Sequence, residues 1–390
     1  MIHIITEGCK VPIKMWLSDV EPTAIQQARN LANLPFVFKH IALMPDCHQG
    51  YGMPIGGVLA TQGVIVPNAV GVDIGCGMCA LKTSLTEINI DDIKQVMSRI
   101  RELVPLGFDH HDQAQDESLM PSLEQLPENG VVRRQYTAAK KQIGTLGGGN
   151  HFIEIQKGSD GHIWVMIHSG SRNIGLKVAD HYNRIASQLN ERWHSSVTKK
   201  MDLAFLPIET REAKDYFAEM QYCVDFAFAN RKLMMENIKS AFVGVMGEGF
   251  KEIDFINIAH NYARCESHFG TNVIVHRKGA TSAREGEIGI IPGSQGTKSY
   301  IVRGKGNSES FQSCSHGAGR ALGRKQAQRE LNLEEEICNL NEQGILHSIR
   351  FLKDLDEAPG AYKDIQVVME NQRDLVDILV ELSPLAVIKG

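Results

Sequence analysis

The sequence lacks the features that mark several classes of protein. It has no apolar run of the roughly 18 residues needed to cross a membrane, which excludes a membrane-spanning helix. The segment from Met1 to Cys9 lacks the charged region, apolar stretch and cleavage site of a secretion signal. The eight cysteines show no disulfide-scaffold spacing, so we expect reduced thiols or metal ligands. These absences together predict a cytoplasmic protein.

The net charge gives little information about binding partners. The net charge of −5 argues weakly against a nucleic-acid binder, although a local basic patch can coexist with an acidic total. The composition, 43% hydrophobic and 22% charged, is that of a globular protein with a sizeable core. Glycine is the unusual residue, because many of the 36 glycines gather in a few short stretches. Those stretches are the candidates for function.

The order of apolar and turn-forming segments predicts one α+β domain spanning residues 1–390, without internal repeats. Residues 109–130 carry acids and two prolines but little periodicity, which indicates a loop or a mobile insertion. Apolar runs bounded by turn formers predict strands: 37–43, 57–60, 63–66, 162–167, 271–276, 288–291 and 299–302. Helical spacing predicts helices: 90–104, 133–142, 175–193, 211–242, 319–331 and 367–382. Asn89 is the expected N-cap of the first of these helices.

The stretch Gly71-Val-Asp-Ile-Gly-Cys-Gly77 places a carboxylate and a thiol three residues apart in a glycine-rich loop. Asp73 offers a hard oxygen and Cys76 a thiolate able to bridge two metals, a mixture that suits a borderline divalent ion. A tight turn with a buried thiol is the alternative.

A second stretch, Gly147-Gly-Gly-Asn-His-Phe-Ile-Glu154, leads polar groups into an apolar run. Ideal strand alternation puts Asn150 and Glu154 on one face and His151 on the other. All three therefore serve one site only if the strand begins irregularly, which glycines permit. A hairpin turn with solvated ends explains the same residues.

Two further histidines are candidate ligands. His168 closes an apolar strand and precedes Ser-Gly-Ser-Arg172, a loop in which Arg172 is suited to grip a phosphate. His260 lies in Asn257-Ile-Ala-His-Asn-Tyr262. Taken alone, His168 is also explained as a hydrogen-bonded residue at a strand end, and His260 is better explained as a core histidine.

The loops Pro292-Gly-Ser-Gln-Gly-Thr-Lys-Ser299 and Ser313-Cys-Ser-His-Gly-Ala-Gly-Arg320 are rich in glycine and hydroxyls and carry a base, as phosphate-cradling loops do. Neither has the G-x-x-x-x-G-K-[ST] pattern of a P-loop. His316 lies where its neutral imidazole can attack a phosphorus atom. Taken singly, each loop is also explained as a turn. The conjunction of these motifs predicts metal-assisted phosphoryl or nucleotidyl transfer, without naming a substrate.

The motifs resemble, essentially end to end, those of the RtcB family of RNA ligases. Those that carry the resemblance are Met44-Pro-Asp-Cys-His-Gln-Gly-Tyr-Gly52, Val72-Asp-Ile-Gly-Cys-Gly77, Gly147-Gly-Gly-Asn-His-Phe152, His168-Ser-Gly-Ser-Arg172, His260-Asn-Tyr262, Lys278-Gly-Ala-Thr281, Pro292-Gly-Ser-Gln-Gly296 and Ser315-His-Gly-Ala-Gly-Arg320. Ser282 and Asn173 depart from the usual pattern, which favours a divergent bacterial paralogue.

The resemblance implies a role for each candidate residue. Cys76 bridges two Mn²⁺ ions, with Asp73 and His151 completing one site and His168 and His260 the other. His316 attacks the α-phosphorus of GTP and becomes guanylylated. Asp46 and Arg172 belong to motifs associated with RNA-end chemistry. The nucleotide pocket is assigned to Asn150, Glu154 (against the guanine edge), Asn261, Pro292, Gly293, Ser294, Ser299, Gly317, Ala318, Gly319 and Lys389.

The implied reaction joins an RNA 2′,3′-cyclic phosphate or 3′-phosphate end to a 5′-OH end, in RNA repair or tRNA splicing. The implied partners are this RNA, GTP and an accessory activator, with the chain a monomer or weak oligomer. A manganese phosphoesterase without a covalent step is the nearest alternative, and an RNA-binding subunit without catalysis is a third. His316 and Glu154 discriminate, because a hydrolase needs neither a nucleophilic histidine nor a guanine contact.

Overall fold

The computed structural model describes residues 1 and 3–390, apart from the side chain of Glu248. Its described part is an α+β structure. The helices are α1 Pro22–Ala32, α2 Ile90–Leu103, α3 Val131–Gln142, α4 Asn173–Arg192, α5 Arg211–Met246, α6 Arg324–Glu330, α7 Leu333–Glu342 and α8 Ile365–Glu370. The strands are β1 His3–Ile5, β2 Ile13–Met15, β3 Val37–His48, β4 Ile55–Thr61, β5 Val64–Ile65, β6 Gly77–Thr83, β7 Phe152–Gly158, β8 Ile163–Ser169, β9 Leu206–Pro207, β10 Glu252–Ala259, β11 Asn261–His268, β12 Thr271–Lys278, β13 Ala280–Ser282, β14 Ile288–Ile291, β15 Ser299–Gly304, β16 Ser313–Ser315 and β17 Val376–Lys389.

Two large sheets organise the fold. One has six strands in the order β1-β2-β3-β4-β12-β11, and the other has seven in the order β10-β6-β8-β7-β17-β15-β14. In the second sheet the neighbours β10, β6, β8 and β7 pair antiparallel. Because the chain direction alternates, the ends of β10 and β8 and the starts of β6 and β7 share one edge.

The long helix α5 covers the seven-stranded sheet together with α2. Apolar side chains of both helices, such as Ile100 and Phe242, join Ile155 and Ile167 of the sheet in one buried cluster. The rest of α5 packs with α3 and α4 in another cluster that contains Tyr182 and Tyr216. This central helix therefore backs the sheet edge where the candidate ligands converge.

Most of the predicted elements are confirmed. The seven predicted strands coincide with β3, β4, β5, β8, β12, β14 and β15, and the first four predicted helices with α2 to α5. Asn89 caps α2, since its side chain accepts a hydrogen bond from the backbone N–H of Asp92 at 2.9 Å. The helix predicted at 319–331 begins only at Arg324, because the residues before it belong to the His316 loop.

The helix predicted at 367–382 is wrong. Only Ile365–Glu370 is helical, and the chain then forms the 14-residue strand β17. This strand lies between β15 and β7, with a register irregularity between Pro384 and Ala386. Pairing on both sides outweighs the local helical spacing, as tertiary context often does for apolar segments.

Two observations bear on the remaining segments. Residues 109–130 contain one short 3-10 turn, Glu117–Leu119, and otherwise only turns and irregular backbone. Among the described residues, no helix combines the length and apolar character that crossing a membrane requires.

Candidate active site

Five candidate ligands meet at the common edge of the seven-stranded sheet. Asp73 and Cys76 lie in the glycine-rich loop before β6, and His151 immediately precedes β7. His168 is near the end of β8, and His260 occupies the turn between β10 and β11. Because neighbouring strands run antiparallel, residues far apart in the sequence meet at this edge. Asp73 and Asn261, for example, are 188 positions apart and are joined by a hydrogen bond.

The ligand atoms are close enough to hold metal ions. The Sγ atom of Cys76 lies 3.5 Å from Nε2 of His151 and 3.3 Å from Nε2 of His168. Nε2 of His168 lies 3.4 Å from Nε2 of His260, and Nε2 of His151 lies 3.2 Å from a carboxylate oxygen of Asp73. The atoms form two groups, Cys76–His168–His260 and Asp73–Cys76–His151, and Cys76 belongs to both.

Backbone carbonyls fix the orientation of two of the histidines. Nδ1 of His151 lies 3.0 Å from the carbonyl oxygen of Leu146, and Nδ1 of His168 lies 3.1 Å from that of Asn150. A proton on each Nδ1 satisfies the carbonyl and leaves the Nε2 lone pair directed at the centre. Burial holds the pKa of His168 and of His260 well below the usual value, which keeps these imidazoles neutral.

The donor set fits a divalent metal. One thiol, one carboxylate and three imidazoles suit a borderline ion such as Mn²⁺, Zn²⁺ or Co²⁺. Burial raises the pKa of the Cys76 thiol well above its usual value. A thiolate at this position therefore calls for a compensating positive charge, which a metal shared by both groups would supply.

Two residues of α5 hold the ligand loops in place. The side-chain oxygen of Asn230 accepts hydrogen bonds from the N–H groups of Gly144 (2.7 Å) and Thr145 (3.1 Å). The buried guanidinium of Arg231 donates to the carbonyl oxygens of Gly75 at 3.0 Å and Ser169 at 2.8 Å. Both side chains therefore hold backbone groups next to the candidate ligands in place through buried hydrogen bonds.

His316 lies beside this centre and is held by Asp46. Nδ1 of His316 is 2.6 Å from a carboxylate oxygen of Asp46, which also accepts from the N–H of His316 at 3.0 Å and of Gly317 at 3.3 Å. Donation from Nδ1 leaves Nε2 with a free lone pair. The ring of His316 lies 4.8 Å, centroid to centroid, from that of the candidate ligand His260. The loop that carries His316 packs closely against β3, which carries Asp46. Gly319 permits this packing, because a Cβ there would lie 2.3 Å from the Asp46 carbonyl oxygen.

A cleft of about 360 Å³ opens in front of His316. It is also lined by Asn150, Glu154, Pro292, Gly293, Ser294, Gly317, Ala318, Gly319 and Lys389, all candidates from the sequence. Further lining residues that the sequence reasoning did not single out are His48, Gln49, Ile55, Phe152, Gln295, Arg320, Arg324, Glu357 and Tyr362. His48, Gln49, Phe152, Gln295 and Arg320 lie inside motifs already quoted, whereas Glu357 carries no signal of its own.

The cleft is predominantly basic. Lys389 lies 3.0 Å from a carboxylate oxygen of Glu357, and Arg320 and Arg324 pair with the same carboxylate. Burial favours the neutral acid at Glu357, yet Lys389 and Arg320 hold its pKa below the usual value. Arg324 also pairs with Asp356 at 3.3 Å, so three cations face two carboxylates, which still leaves positive charge for a polyphosphate.

Glu154 occupies the other wall of the cleft. Its carboxylate is 3% exposed and accepts a hydrogen bond from the side chain of Gln156. Burial raises the pKa of Glu154 to about 8. The carboxyl group is therefore largely protonated at neutral pH, although the hydrogen bond from Gln156 favours its ionised form.

Asn261 and Ser299, both predicted for the nucleotide pocket, do not line the cleft, and neither does Arg172. Asn261 donates to the backbone oxygen of Asp73 at 3.0 Å and accepts from the N–H of Gly279 at 2.7 Å, so it joins two loops. Ser299 accepts from the N–H of Gly293 at 3.1 Å and supports the pocket loop. Arg172 donates to the hydroxyl of Thr145 at 3.2 Å, and its backbone has a φ of 61°.

The sequence comparisons agree with this arrangement. The family model described as "tRNA-splicing ligase RtcB" matches residues 27–131 and 119–390. The chain is 40% identical to RNA-splicing ligase RtcB1 of an Escherichia coli strain and 39% identical to RNA-splicing ligase RtcB of Escherichia coli (strain K12), over 97% of each chain. It is 32% identical to tRNA-splicing ligase RtcB of Thermococcus kodakarensis, over 94% of this chain and 91% of the relative.

These matches define an enzyme of the RNA ligase class, and the site contains a cluster of side chains that could hold metal ions. The chain belongs to the RtcB family.

Proposed function

We propose that this chain is a GTP- and manganese-dependent RNA ligase that works through a guanylylated His316. The observation that carries the proposal is the placement of His316, whose Nδ1 lies 2.6 Å from Asp46 while its ring faces the basic cleft beside the metal ligands. An imidazole fixed in this way presents Nε2 as the nucleophile. The names of the relatives, RNA-splicing and tRNA-splicing ligase, support RNA as the substrate class.

Two Mn²⁺ ions would be held by Asp73, Cys76, His151, His168 and His260. When bound, such ions stabilise the negative charge that develops on phosphoryl oxygens during transfer. Cys76 and the three histidines are buried, whereas the side chain of Asp73 is 34% exposed. Burial of the first four lowers the local dielectric, which strengthens electrostatic interactions at the centre.

The first step is transfer of guanylyl to His316. Nε2 forms a bond to the α-phosphorus of GTP, the bond from that phosphorus to the bridging oxygen breaks, and pyrophosphate leaves. Lys389, Arg320 and Arg324 would bind the phosphates, and Asp46 stabilises the positive charge that develops on the imidazole. Glu154 would accept hydrogen bonds from the guanine edge once its carboxyl group is ionised.

The later steps act on RNA. Water opens a 2′,3′-cyclic phosphate end to a 3′-phosphate, an oxygen of which then attacks the guanylyl phosphorus and frees His316. The 5′-OH of the second RNA attacks the activated 3′-phosphorus, loses its proton, and GMP leaves. We place this activity in the cytoplasm, in RNA repair or tRNA splicing, with an accessory activator as a further partner of a monomer or weak oligomer.

A ligation assay tests the proposal. Two RNA strands, one with a 3′-phosphate and one with a 5′-OH, are incubated with the protein, Mn²⁺ and either GTP or ATP. Joining that depends on GTP is the expected result. Release of inorganic phosphate without joining, and without need of GTP, would instead indicate the manganese phosphoesterase.

A further inference from the structure

A second cleft, here called the side cleft, lies on the flank of the molecule. It is formed by α2, α7 and the segment 345–350, has a volume of about 580 Å³, and shares no lining residue with the cleft at His316. Its ionisable lining residues are Lys94, Arg101, His347 and Arg350, all of them basic. No aspartate or glutamate is among the described residues that line it.

The two arginines have backbone partners within the structure. Arg101 donates from Nη1 to the carbonyl oxygen of Met97 at 3.4 Å, and Arg350 donates to that of Ile349 at 2.7 Å. The carboxylate of Asp354 accepts from the main-chain N–H of Arg350 at 2.9 Å, not from its guanidinium. Arg101 and Arg350 line the same cleft, and burial and then the positive charge of Arg350 lower the pKa of Arg101, so the two like charges repel each other.

His347 holds Arg350 in position. It is 7% exposed, and its Nε2 lies 3.3 Å from the side-chain oxygen of Asn341. Its Nδ1 lies 3.4 Å from Nη1 of Arg350 and accepts a hydrogen bond from it. Burial and the neighbouring charge of Arg350 keep the pKa of His347 below the usual value, so the ring is neutral. A neutral acceptor orients the guanidinium without cancelling its charge.

From this arrangement we propose that the side cleft binds a phosphate group between Arg101 and Arg350. Guanidinium groups match phosphate oxygens with paired N–H donors, and an anion between them offsets their mutual repulsion. The phosphate is either a backbone phosphodiester of bound RNA or a free phosphate ion. The RNA source rests on the proposed ligase function, whereas binding of the free ion does not.

Hydrogen bonds connect the side cleft to the cleft at His316. Segment 345–350 runs along β17, where the hydroxyl of Ser348 donates to the carbonyl oxygen of Val387 at 3.1 Å. The same hydroxyl accepts a hydrogen bond from the backbone N–H of Lys389 at 3.3 Å, and Lys389 lines the cleft at His316. RNA bound in the side cleft would therefore lie along a strand that ends at the reaction centre.

The test compares the parent protein with two double variants that each remove two positive charges. The cleft variant is Arg101→Gln with Arg350→Gln, and the control variant is Arg211→Gln with Arg373→Gln, at arginines whose side chains are 87% and 76% exposed. Binding of a fluorescent single-stranded RNA is followed by anisotropy over a range of salt concentrations. Thermal unfolding is measured in sodium phosphate and in sodium chloride of equal ionic strength.

We expect the cleft variant to bind RNA roughly tenfold more weakly than the control variant, as removal of a charge-assisted hydrogen bond predicts. Its plot of log affinity against log salt should be shallower by about 0.7 for each RNA phosphate that the variant no longer neutralises. Stabilisation by phosphate should also be smaller in the cleft variant if the free ion enters. A change confined to RNA binding identifies the backbone as the ligand, and one confined to phosphate stabilisation identifies the free ion.

Indistinguishable behaviour of the cleft and control variants in both measurements would overturn the proposal. If the glutamine variant does not fold, Arg101→Lys with Arg350→Lys keeps the charge but removes the paired donors, and an intermediate loss is expected. GTP-dependent labelling of His316, measured in every variant, should be unchanged by the cleft substitutions. Its absence from the parent protein would contradict the ligase proposal and still leave the phosphate measurement decisive for the side cleft.

Discussion

The carboxylate of Asp46 lies 2.6 Å from Nδ1 of His316 and also receives the backbone N–H groups of His316 and Gly317. Asp46 is fully buried in β3, and its second carboxylate oxygen has no partner among the described residues. This one oxygen therefore fixes the tautomer and the orientation of the His316 ring and also holds the backbone of the His316 loop. Asp46 is accordingly a positioning residue in this account, acting through His316.

Replacing Asp46 with Asn should slow guanylylation by about a hundredfold or more, because an amide no longer stabilises the imidazolium or enforces the tautomer. The rate of adduct formation is measured by quenched-flow sampling and mass spectrometry, with metal content determined in parallel. The matched control is Asp377→Asn at a surface ion pair, which should leave the rate within about twofold. A rate for Asp46→Asn equal to that of the control would refute the positioning role.

Cys76 is common to both groups of ligands, so its loss should affect both metals. We expect Cys76→Ala to reduce bound manganese from two ions per chain to less than one, measured by inductively coupled plasma mass spectrometry after gel filtration. Cys265→Ala provides the control, because this exposed thiol lies outside the candidate ligand groups. Full retention of two ions in Cys76→Ala would argue against a bridging thiolate.

The raised pKa of Glu154 predicts how the stability of the folded protein changes with pH. Its pKa is raised to about 8 in the folded protein, against about 4.3 for an unperturbed glutamate. Between these pKa values the folded state keeps a proton that the unfolded state has released. Deprotonation of Glu154 therefore lowers the free energy of unfolding as pH rises, and this destabilisation is complete above about pH 8. The Tm difference between Glu154→Gln and the parent should therefore grow from pH 5 to pH 8 and then level off.

The control for that titration is Glu381→Gln, at a surface ion pair with Lys298. Its Tm difference from the parent should stay small across the same range, since exposed pairs contribute little. A flat difference for Glu154→Gln would mean that the buried carboxyl group is ionised throughout.

The sequence predicts the ligands better than it predicts their surroundings. Asp73, Cys76, His151, His168 and His260 stand out because each interrupts an apolar or glycine-rich stretch, and the structure brings them together. Their meeting at one edge follows from strand order, which no local pattern contains. His151 immediately precedes β7, which begins at Phe152, so strand alternation does not place it on the face opposite Glu154.

Other residues carry no comparable signal. Glu357 lies in an ordinary polar segment and gains its role only through long-range pairing with Lys389 and two arginines. Arg172 looks suited to phosphate in sequence; its guanidinium donates to Thr145 and to the backbone of Gly107, and its part in RNA-end chemistry stays a prediction. The strand β17 has helical spacing in part of its length, and only its two neighbouring strands determine its conformation.

Intact-protein mass spectrometry after incubation with GTP and Mn²⁺ detects the guanylylated intermediate itself. The parent protein should gain the mass of one guanylyl group, and His316→Ala, with unchanged fold by circular dichroism, should gain none. The same adduct on His316→Ala, or no adduct on fully metallated parent protein, would contradict a mechanism through guanylylated His316.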